Sequence, residues 1–211
     1  MFSIREILTE PAPIIRVVDA GAAAYENDPF ARLSEQGMCE VIGFEPNAEN
    51  CARRNAGALP GHRYLPYALG DGRLRRFHQC QNPLTSSLYR PNAAMLDKFS
   101  QIVLPVVAEY DIQTHRLDDL SEVQDIDYLK LDVQGMELNV LRGAERTLRA
   151  TRIVEAELSA VELYEGQPLI GEVIEHLCGA GYVPIGLETS FRDRATGDLL
   201  QVNGLFRERN G

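Results

Sequence analysis

The segment IIRVVDAG, residues 14–21, decides the fold class of this chain. Its β-branched residues predict a strand over Ile14–Asp19, and Gly21 permits the tight turn that follows the strand. The pair Asp28–Pro29 is typical of a helix N-cap and first turn, and Gly37 is placed to end that helix. This part of the chain therefore predicts one complete βα unit.

The alternation of strands and helices continues toward the C-terminus. Cys39–Phe44 predicts a second strand, and Asn47 predicts the N-cap of a helix that ends near Asn55. The remaining predicted strands are Tyr64–Leu69, Tyr128–Val133, Arg152–Leu158 and a closing antiparallel hairpin of Tyr182–Glu188 and Leu200–Phe206, and the remaining helices are Met136–Leu148 and one opened by Pro168. Because strands that alternate with helices build parallel sheets, this order predicts a single α/β domain over residues 1–211.

Residues 72–126 interrupt the alternation and predict an insertion. The stretch is too long for an ordinary loop, so we expect it to hold further elements. Candidates are strands at Phe77–Gln81 and within Ile102–Thr114, and a helix at Ala93–Phe99. An insertion at one edge of a sheet is a common place for a lid over a substrate.

Composition limits the possible partners. The 211 residues are 45% hydrophobic, which supplies an ordinary core, and 21 Lys and Arg against 31 Asp and Glu give a net charge of −10. A net-negative surface repels phosphate backbones, so we expect no nucleic-acid partner. The longest apolar run, Ile102–Ala108, is far shorter than the roughly 20 residues of a membrane-spanning helix, so we expect no membrane span.

Cysteine and histidine spacing indicates the compartment and argues against a metal site. The four cysteines show no CxxC spacing, which favours free thiols in a reducing compartment. The N-terminal residues MFSIREILTEP do not resemble a secretory signal, and we expect a cytoplasmic protein. The four histidines show no HxH or i, i+4 spacing, so we expect no metal ligand cluster.

Polar residues follow the carboxyl ends of the predicted strands, where ligands bind in an open parallel sheet. Gly21 allows close approach of a ligand to the backbone, and Glu45 after the second strand is placed to accept hydrogen bonds from ribose hydroxyls. The loop after the first strand lacks the further glycines of G-x-G-x-x-G, which fits a dinucleotide poorly. S-adenosylmethionine carries no phosphate, and its positive methionine end would favour an acid such as Asp19.

Several motifs together resemble the FkbM-type S-adenosylmethionine-dependent methyltransferases. In order, they are VVDAGAA (17–23), VIGFEPNAENC (41–51), YALGDG (67–72), THRLDDL (114–120), IDYLKLDVQGMELNVLRGAE (126–145), ELSAVELYEGQPL (157–169), GYVPIGL (181–187) and LLQVNGLF (199–206). The resemblance implies a class I methyltransferase fold, a Rossmann-like three-layer α/β sandwich whose mostly parallel seven-stranded sheet has an antiparallel last strand. It also implies S-adenosylmethionine as the methyl donor and transfer to a hydroxyl oxygen.

The resemblance also implies roles for individual residues. The cofactor-binding set comprises Asp19, Gly21, Ala22, Glu45, Pro46, Asn47, Ala68 and Leu69. Asp132 and Glu137 match the first and last acids of the family's D-x-E-G-x-E segment, in which Gln134 stands where the family commonly has Glu. This departure argues against any role that needs a second negative charge at Gln134. We expect Glu137 to be an exposed or salt-bridged helical residue.

Methyl transfer to a hydroxyl needs alignment and a base. Asp132 is the leading candidate, Glu157 on the neighbouring strand end is the second, and His115 is the third because its ordinary pKa suits neutral pH. The acceptor, a small molecule or a glycan, is expected beneath the insertion. The insertion residues placed to bind its hydroxyls are Thr85, Ser86, Ser87, Tyr89 and Arg90.

Two alternatives remain open at this point. An NAD-dependent oxidoreductase shares the βα unit and the acid after the second strand, and the missing glycines argue against it. A cofactor-binding domain without catalysis, acting as a scaffold, is the second alternative, and Gln134 keeps it open. The sequence leaves both the acceptor and the oligomeric state undecided, a homodimer included.

Overall fold

The computed structural model describes residues 13–23, 28–99 and 101–209 of the chain. Its strands are β1 (Ile15–Ala20), β2 (Cys39–Phe44), β3 (His62–Leu65), β4 (Ala68–Leu69), β5 (Leu74–Cys80), β6 (Val106–His115), β7 (Tyr128–Leu131), β8 (Ile153–Ser159), β9 (Tyr182–Arg192) and β10 (Leu199–Glu208). Its α-helices are α1 (Ala31–Glu35), α2 (Ala48–Ala56), α3 (Ala93–Leu96), α4 (Glu137–Arg142), α5 (Glu145–Leu148) and α6 (Ile170–Gly179). Short 3₁₀ turns lie at Pro83–Thr85 and Leu117–Asp119.

The main sheet has seven strands in the order β3-β2-β1-β7-β8-β10-β9. The first five strands of that order pair in parallel, whereas β10 is antiparallel to both β8 and β9. This topology confirms the predicted class I methyltransferase fold. The strand order reverses between β1 and β7, and because β1, β2 and β7 are parallel their carboxyl ends lie at one edge of the sheet.

Both faces of the main sheet are covered by helices. The larger core lies between one face of the sheet and α4, α5 and α6, and its central members are Val18, Ala20, Leu129, Leu131, Leu138, Leu141, Val154, Ala156, Leu158, Val173 and Leu177. On the opposite face, Val17 and Val41 pack with Phe30 and with Leu33 of α1. These three layers follow from strands whose alternate side chains point to opposite faces. The face of the larger core is apolar throughout, whereas the opposite face is apolar at Val17 and Val41 and charged at Lys130, Glu155 and Glu157.

The insertion forms a second, smaller sheet together with β4, which precedes it. Its three strands lie in the order β4-β6-β5, with β4 parallel and β5 antiparallel to β6. The predicted strands within residues 72–126 and the helix at α3 are therefore present, with shifted bounds.

No helix in the described ranges has the length and apolar character needed to cross a membrane. The whole N-terminal segment MFSIREILTEP lies outside the described residues.

The predicted third strand, Tyr64–Leu69, is wrong as a single element. Pro66 divides it into β3, which extends the main sheet, and β4, which joins the small sheet. Proline has no N–H to donate to a neighbouring strand, so a continuous ladder through this position is disfavoured. The chain uses this interruption to pass from one sheet to the other.

The predicted helix Met136–Leu148 is also wrong as a single element, since it divides at Gly143 into α4 and α5. A Cβ at Gly143 would lie 2.8 Å from the carbonyl oxygen of Gly70, and the Gly143 carbonyl accepts a hydrogen bond from the N–H of Asp118. The break therefore brings the helix pair against the start of the insertion. Likewise, Asp28 does not cap α1, because its carboxylate pairs with Arg54 at 3.0 Å.

Candidate active site

A cleft of about 730 Å³ lies at the carboxyl edge of the main sheet. Its polar floor comes from residues that directly follow β1, β2 and β7, and one wall comes from the insertion. The lining residues are Gly21, Ala23, Phe44, Glu45, Pro46, Asn47, Tyr67, Ala68, Leu69, Phe77, Pro83, Leu84, Ser86, Ser87, Leu88, Asp132, Val133, Gln134 and Met136. The cleft thus brings together most of the residues predicted to bind the cofactor.

Gly21 makes the turn after β1 possible. Its φ of +84° lies in the left-handed region, and a Cβ there would come within 1.9 Å of the carbonyl oxygen of Asp132. The Gly21 N–H donates to the carbonyl of Phe44 at 3.0 Å. The sequence suggested that glycine lets a ligand approach closely, but the nearest group is the backbone at the end of β7. Glycine is required here because two strand ends meet.

Glu45 is held in a fixed position at the end of β2. Its side chain is 6% exposed, and its Oε1 accepts a hydrogen bond of 2.7 Å from the backbone N–H of Asn47. Asn47 in turn caps α2, since its side chain accepts from the N–H of Asn50 at 3.0 Å. Burial raises the pKa of Glu45 above its ordinary value. The result is an oriented carboxyl group that faces the cleft and can accept hydrogen bonds from a ligand.

The wall beside Glu45 is largely apolar and includes aromatic side chains. Its residues are Phe44, Tyr67, Ala68, Leu69, Phe77, Leu84, Leu88 and Met136. Such a wall suits a planar nucleobase. His115 does not line the cleft, because it packs against the ring of Tyr67 with the ring centroids 4.6 Å apart.

Asp19 lies outside the cleft lining in a buried ion-pair network. Lys130 Nζ donates to Asp19 Oδ1 at 2.9 Å, and Arg54 lies 3.8 Å from Oδ2. Arg54 also pairs with Asp28 and stacks over the ring of Tyr64 at 4.4 Å. Although burial alone lowers the pKa of Lys130, the adjacent Asp19 raises it above the ordinary value, so the ammonium stays charged. Direct contact of Asp19 with a cofactor stays a prediction.

Ala22 also lies outside the cleft lining, although the neighbouring Gly21 and Ala23 belong to it. It is fully buried and packs with Cys51 of α2 and Tyr64 of β3. The structure therefore places Ala22 in the support of the turn after β1. A backbone contact of Ala22 with a cofactor stays a prediction.

Asp132 is shared between the cleft and a neighbouring groove. The groove has a volume of about 720 Å³ and is lined by Asp28, Pro29, Lys130, Leu131, Asp132, Glu155, Glu157 and Asn203. Glu157 therefore lies on the far side of Asp132 from the cleft. Burial, reinforced by the charge of Asp132, raises the pKa of Glu157 to about 7.

Gln134 joins these two carboxylates. Its Nε2 donates to Asp132 Oδ1 at 2.8 Å and to Glu157 Oε2 at 3.2 Å. Its role is that of a neutral donor, in agreement with the expectation that no second negative charge acts at this position. The sequence showed that Gln134 replaces the family's glutamate, but it did not show that Gln134 hydrogen-bonds to both carboxylates. That contact depends on how the chain folds back after β7.

Glu137 corrects a sequence expectation. It is buried, not exposed, and its Oε1 accepts backbone hydrogen bonds from Val133 at 3.0 Å and Gly135 at 3.2 Å. Burial raises the pKa of Glu137 to about 8. Glu137 therefore stabilises the loop between β7 and α4, on which Asp132 and Gln134 lie.

The predicted hydroxyl-binding segment of the insertion reaches the cleft only in part. Ser86 and Ser87 line it, and Ser87 Oγ donates to the carbonyl of Gln134 at 2.6 Å. Arg90 instead pairs with Glu109 at 3.1 Å. Thr85 and Tyr89 are not among the lining residues.

Lys130 is the main residue that the sequence analysis missed. A signal was present, because a lysine in the apolar strand YLKLDV must either reach solvent or find a buried partner. In the parallel register of β1 and β7, Lys130 lies opposite Asp19, which supplies that partner. The apolar residues of the insertion carried no comparable signal.

The strand order of the main sheet is that of the class I methyltransferase fold. A profile of the methyltransferase FkbM domain matches residues 19–184. The chain therefore belongs to the FkbM methyltransferase family. Methyltransferases of this family use S-adenosylmethionine, and the chain is accordingly an S-adenosylmethionine-dependent methyltransferase and not a dehydrogenase.

The chain is similar to one methyltransferase in sequence and to two others in fold. The chain is 29% identical over 189 residues to the 2-O-methyltransferase NoeI of Sinorhizobium fredii, an alignment that covers 82% of this chain and 74% of NoeI. Magnesium protoporphyrin IX methyltransferase from Synechocystis PCC 6803, solved with S-adenosylmethionine, matches with a TM-score of 0.49 and 12% identity over 93% of this chain and 71% of that chain. The Burkholderia thailandensis 1,6-didemethyltoxoflavin-N1-methyltransferase matches with a TM-score of 0.49 and 13% identity over 93% and 72%.

Proposed function

We propose that this methyltransferase transfers the methyl group to a hydroxyl oxygen of a glycan or another small molecule. The observation that carries the proposal is that Glu45 and Asp132 both line one cleft at the carboxyl edge of the sheet. NoeI, the relative at 29% identity, is a 2-O-methyltransferase, which supports oxygen as the atom that receives the methyl group. Its name supports no particular acceptor for this chain.

The residues of the cleft fit S-adenosylmethionine. Glu45 would accept hydrogen bonds from the ribose hydroxyls, with Pro46 and Asn47 fixing its loop, and Gly21 would line the path of the methionine end. Ala68 and Leu69 would contact the adenine together with the apolar wall. When bound, S-adenosylmethionine supplies an electrophilic methyl group on a positive sulfonium. The turn after β1 has one glycine, which suits a ligand without a pyrophosphate.

Asp132 is the base in this proposal. It follows β7 and faces the cleft, whereas Glu157 lies beyond it in the neighbouring groove and His115 lies behind Tyr67. Asp132 would hold the acceptor hydroxyl in line with the methyl group and accept its proton as the C–O bond forms and the methyl–sulfur bond breaks, with S-adenosylhomocysteine as the leaving group. Glu157 is the next candidate because its raised pKa suits proton transfer near neutral pH.

The insertion is proposed as the lid over the acceptor. Leu84, Ser86, Ser87 and Leu88 line the cleft from the insertion side, which supports this role.

We further propose a cytoplasmic protein that does not bind nucleic acid, on the basis of its free cysteines and its net charge of −10. For the assembly we propose a homodimer, since the edge strand β9 exposes Ile185 and Leu187. Light scattering after size-exclusion chromatography measures the assembly.

Calorimetry and a transfer assay test the proposed function together. We expect S-adenosylmethionine and S-adenosylhomocysteine each to release or absorb heat on binding. We also expect S-adenosylhomocysteine to form with a hydroxylated probe from a panel of methyl glycosides and phenols, but not with matched primary amines. Absence of binding by both nucleosides would refute the cofactor assignment, and transfer only to amines would refute hydroxyl specificity.

Substitution at Asp132 tests the base. Asp132→Asn should lower turnover while leaving the affinity for S-adenosylhomocysteine near that of the wild type, because the amide keeps the size of the side chain but is a poor proton acceptor. Retained turnover in Asp132→Asn would transfer the role to Glu157 or His115. The matched variants Glu157→Gln and His115→Asn then decide between these two.

A further inference from the structure

We propose that Gln134 is a positioning residue for methyl transfer, because its side-chain amide fixes Asp132 against Glu157 and ties both to the segment that covers the cleft. This inference rests on the proposed function in that it takes Asp132 as the base. Gln134 itself need not touch the acceptor. It acts through the two carboxylates and through the insertion.

The first step of the argument is the double donation by the amide. Both hydrogens of the Gln134 NH₂ group are directed to carboxylates, one to Asp132 and one to Glu157. A neutral donor between two carboxylates satisfies both and adds no charge. Glu157 has two further donors: Gln201 Nε2 donates to Oε2, the oxygen that Gln134 also contacts, at 2.8 Å, and Ser190 Oγ donates to Oε1 at 3.3 Å.

The second step is the orientation of the amide. Tyr164, which is 2% exposed, donates from its hydroxyl to Gln134 Oε1 at 2.9 Å. This bond occupies the oxygen end of the amide, so the nitrogen end faces the carboxylates. The backbone of Gln134 has a φ of +51°, in the left-handed region, and Gly135 follows with a φ of +98°. Two successive left-handed residues turn the chain sharply after β7, and a non-glycine residue there costs conformational energy.

The third step is the link to the insertion. The carbonyl of Gln134 accepts from Ser87 Oγ, and the Tyr164 hydroxyl, whose one hydrogen is shared between two acceptors, also lies 2.9 Å from the carbonyl oxygen of Thr85. Two positions of the insertion, Ser87 and Thr85, are therefore connected to the same residue, the first directly and the second through Tyr164. Gln134 is the point at which the insertion, β7 and β8 meet.

The charged groups around Asp132 and Glu157 determine the effect of a substitution at Gln134. The ionisable groups that face Asp132 and Glu157 from the surrounding elements are Asp28, Lys130, Glu137, Glu155 and Tyr164. Lys130 is the cation of this group, and it is already paired with Asp19. A carboxylate in place of Gln134 would therefore be added to a site with surplus negative charge.

The test is an NMR titration that does not depend on the acceptor. In protein labelled with [¹³Cδ]glutamate, the signal missing from Glu157→Gln identifies Glu157. We expect Gln134→Glu to raise the titration midpoint of Glu157 by about 1 to 2 pH units, because a third carboxylate disfavours ionisation. Gln134→Met should raise it less, since it removes a donor without adding charge. The control Gln124→Glu adds the same charge at an exposed position and should leave the midpoint unchanged.

Turnover is measured on the same variants with the most active glycoside of the panel. We expect Gln134→Met and Tyr164→Phe to lower kcat about tenfold or more with an unchanged Kd for S-adenosylhomocysteine, the loss typical of a hydrogen bond to a charged group. We expect the acidic limb of the kcat profile to move to higher pH in Gln134→Glu. If the Gln134 variants do not fold, Tyr164→Phe tests the same hydrogen-bonded amide without changing Gln134.

Three outcomes overturn the inference. They are an unchanged Glu157 midpoint in both Gln134→Glu and Gln134→Met, a kcat within twofold of the wild type in Gln134→Met, and an equal shift in Gln124→Glu. Failure of the proposed function is distinguishable from these outcomes, because the wild type would then show no glycoside turnover, or Asp132→Asn would retain it. The Glu157 titration is measurable in either case.

Discussion

At the scale of single residues, Glu45 is the side chain on which cofactor binding depends most. It is buried, oriented by the N–H of Asn47, and open to the cleft. We predict that Glu45→Ala weakens S-adenosylhomocysteine binding by about 1.5 to 3 kcal/mol, the loss expected for hydrogen bonds to a charged group. Calorimetry measures this change. Glu49→Ala, an exposed acid on α2, is the matched control and should bind as the wild type does.

Glu137 gives a prediction about stability and pH. Its pKa in the folded protein is raised from 4.5 to about 8 by burial. As the pH rises above 4.5, the unfolded chain loses this proton while the folded protein keeps it, so folding stability falls until about pH 8. Glu137→Gln stays neutral and keeps an oxygen for the N–H groups of Val133 and Gly135.

The stability gain of Glu137→Gln over the wild type should therefore be small near pH 4.5 and grow toward pH 8. Each unit of pKa represents about 1.4 kcal/mol, so the gain at the upper end is on the order of several kcal/mol. Urea unfolding at stepped pH measures it. A difference that does not depend on pH would contradict the account, and the exposed Glu49→Gln should show no such trend.

At the scale of elements, the turn after β1 determines whether the site assembles. Gly21 combines a left-handed φ with contact to the carbonyl of Asp132, whereas Gly37 has a φ of +65° with nothing within 4 Å of an added Cβ. Alanine at both positions separates the two effects. We predict that Gly21→Ala costs at least about 2 kcal/mol more in unfolding free energy than Gly37→Ala, because only Gly21→Ala adds overpacking to backbone strain.

Gly21→Ala should also weaken S-adenosylhomocysteine binding in calorimetry, since relief of the clash must move Asp132 or the turn. Equal stability of the two variants, together with unchanged binding in Gly21→Ala, would show that the backbone contact between β1 and β7 is not required.

The elements also show what local sequence determines. β2 and α2 have nearly the predicted bounds, because their signals are local: a β-branched run and an Asn cap. The strand break at Pro66 had a local signal in the proline itself, whereas the new sheet that β4 joins depends on pairing with the distant strand β6. The helix break at Gly143 depends on the backbone of Gly70, which is distant in sequence.

At the scale of the whole molecule, the parallel sheet explains why the site was partly predictable. Residues after β1, β2 and β7 meet at one edge whatever the details of packing, so Gly21, Glu45 and Asp132 are found together. The wall formed by Phe77, Leu84 and Leu88 was not predicted, because it depends on how the insertion folds over the cleft. The burial of Asp19 likewise depends on the register between β1 and β7.

Binding at this edge should stabilise the whole fold. A ligand present at 100 times its Kd adds about 2.7 kcal/mol of stability, and each kcal/mol raises the Tm of a chain of this size by about 2 to 4 °C. We therefore predict a rise of about 5 to 10 °C with saturating S-adenosylhomocysteine, measured by scanning calorimetry. Glu45→Ala should lose most of this rise at the same ligand concentration.

The most direct test of the central claim is a crystal structure of the complex with S-adenosylhomocysteine. The account predicts both ribose hydroxyls within hydrogen-bond distance of the Glu45 carboxylate, at about 2.5 to 3.0 Å, and the adenine against Tyr67 and Leu69. It also predicts the sulfur on the side of the cleft that contains Asp132. A nucleoside bound elsewhere, or one whose ribose makes no contact with Glu45, would contradict the account.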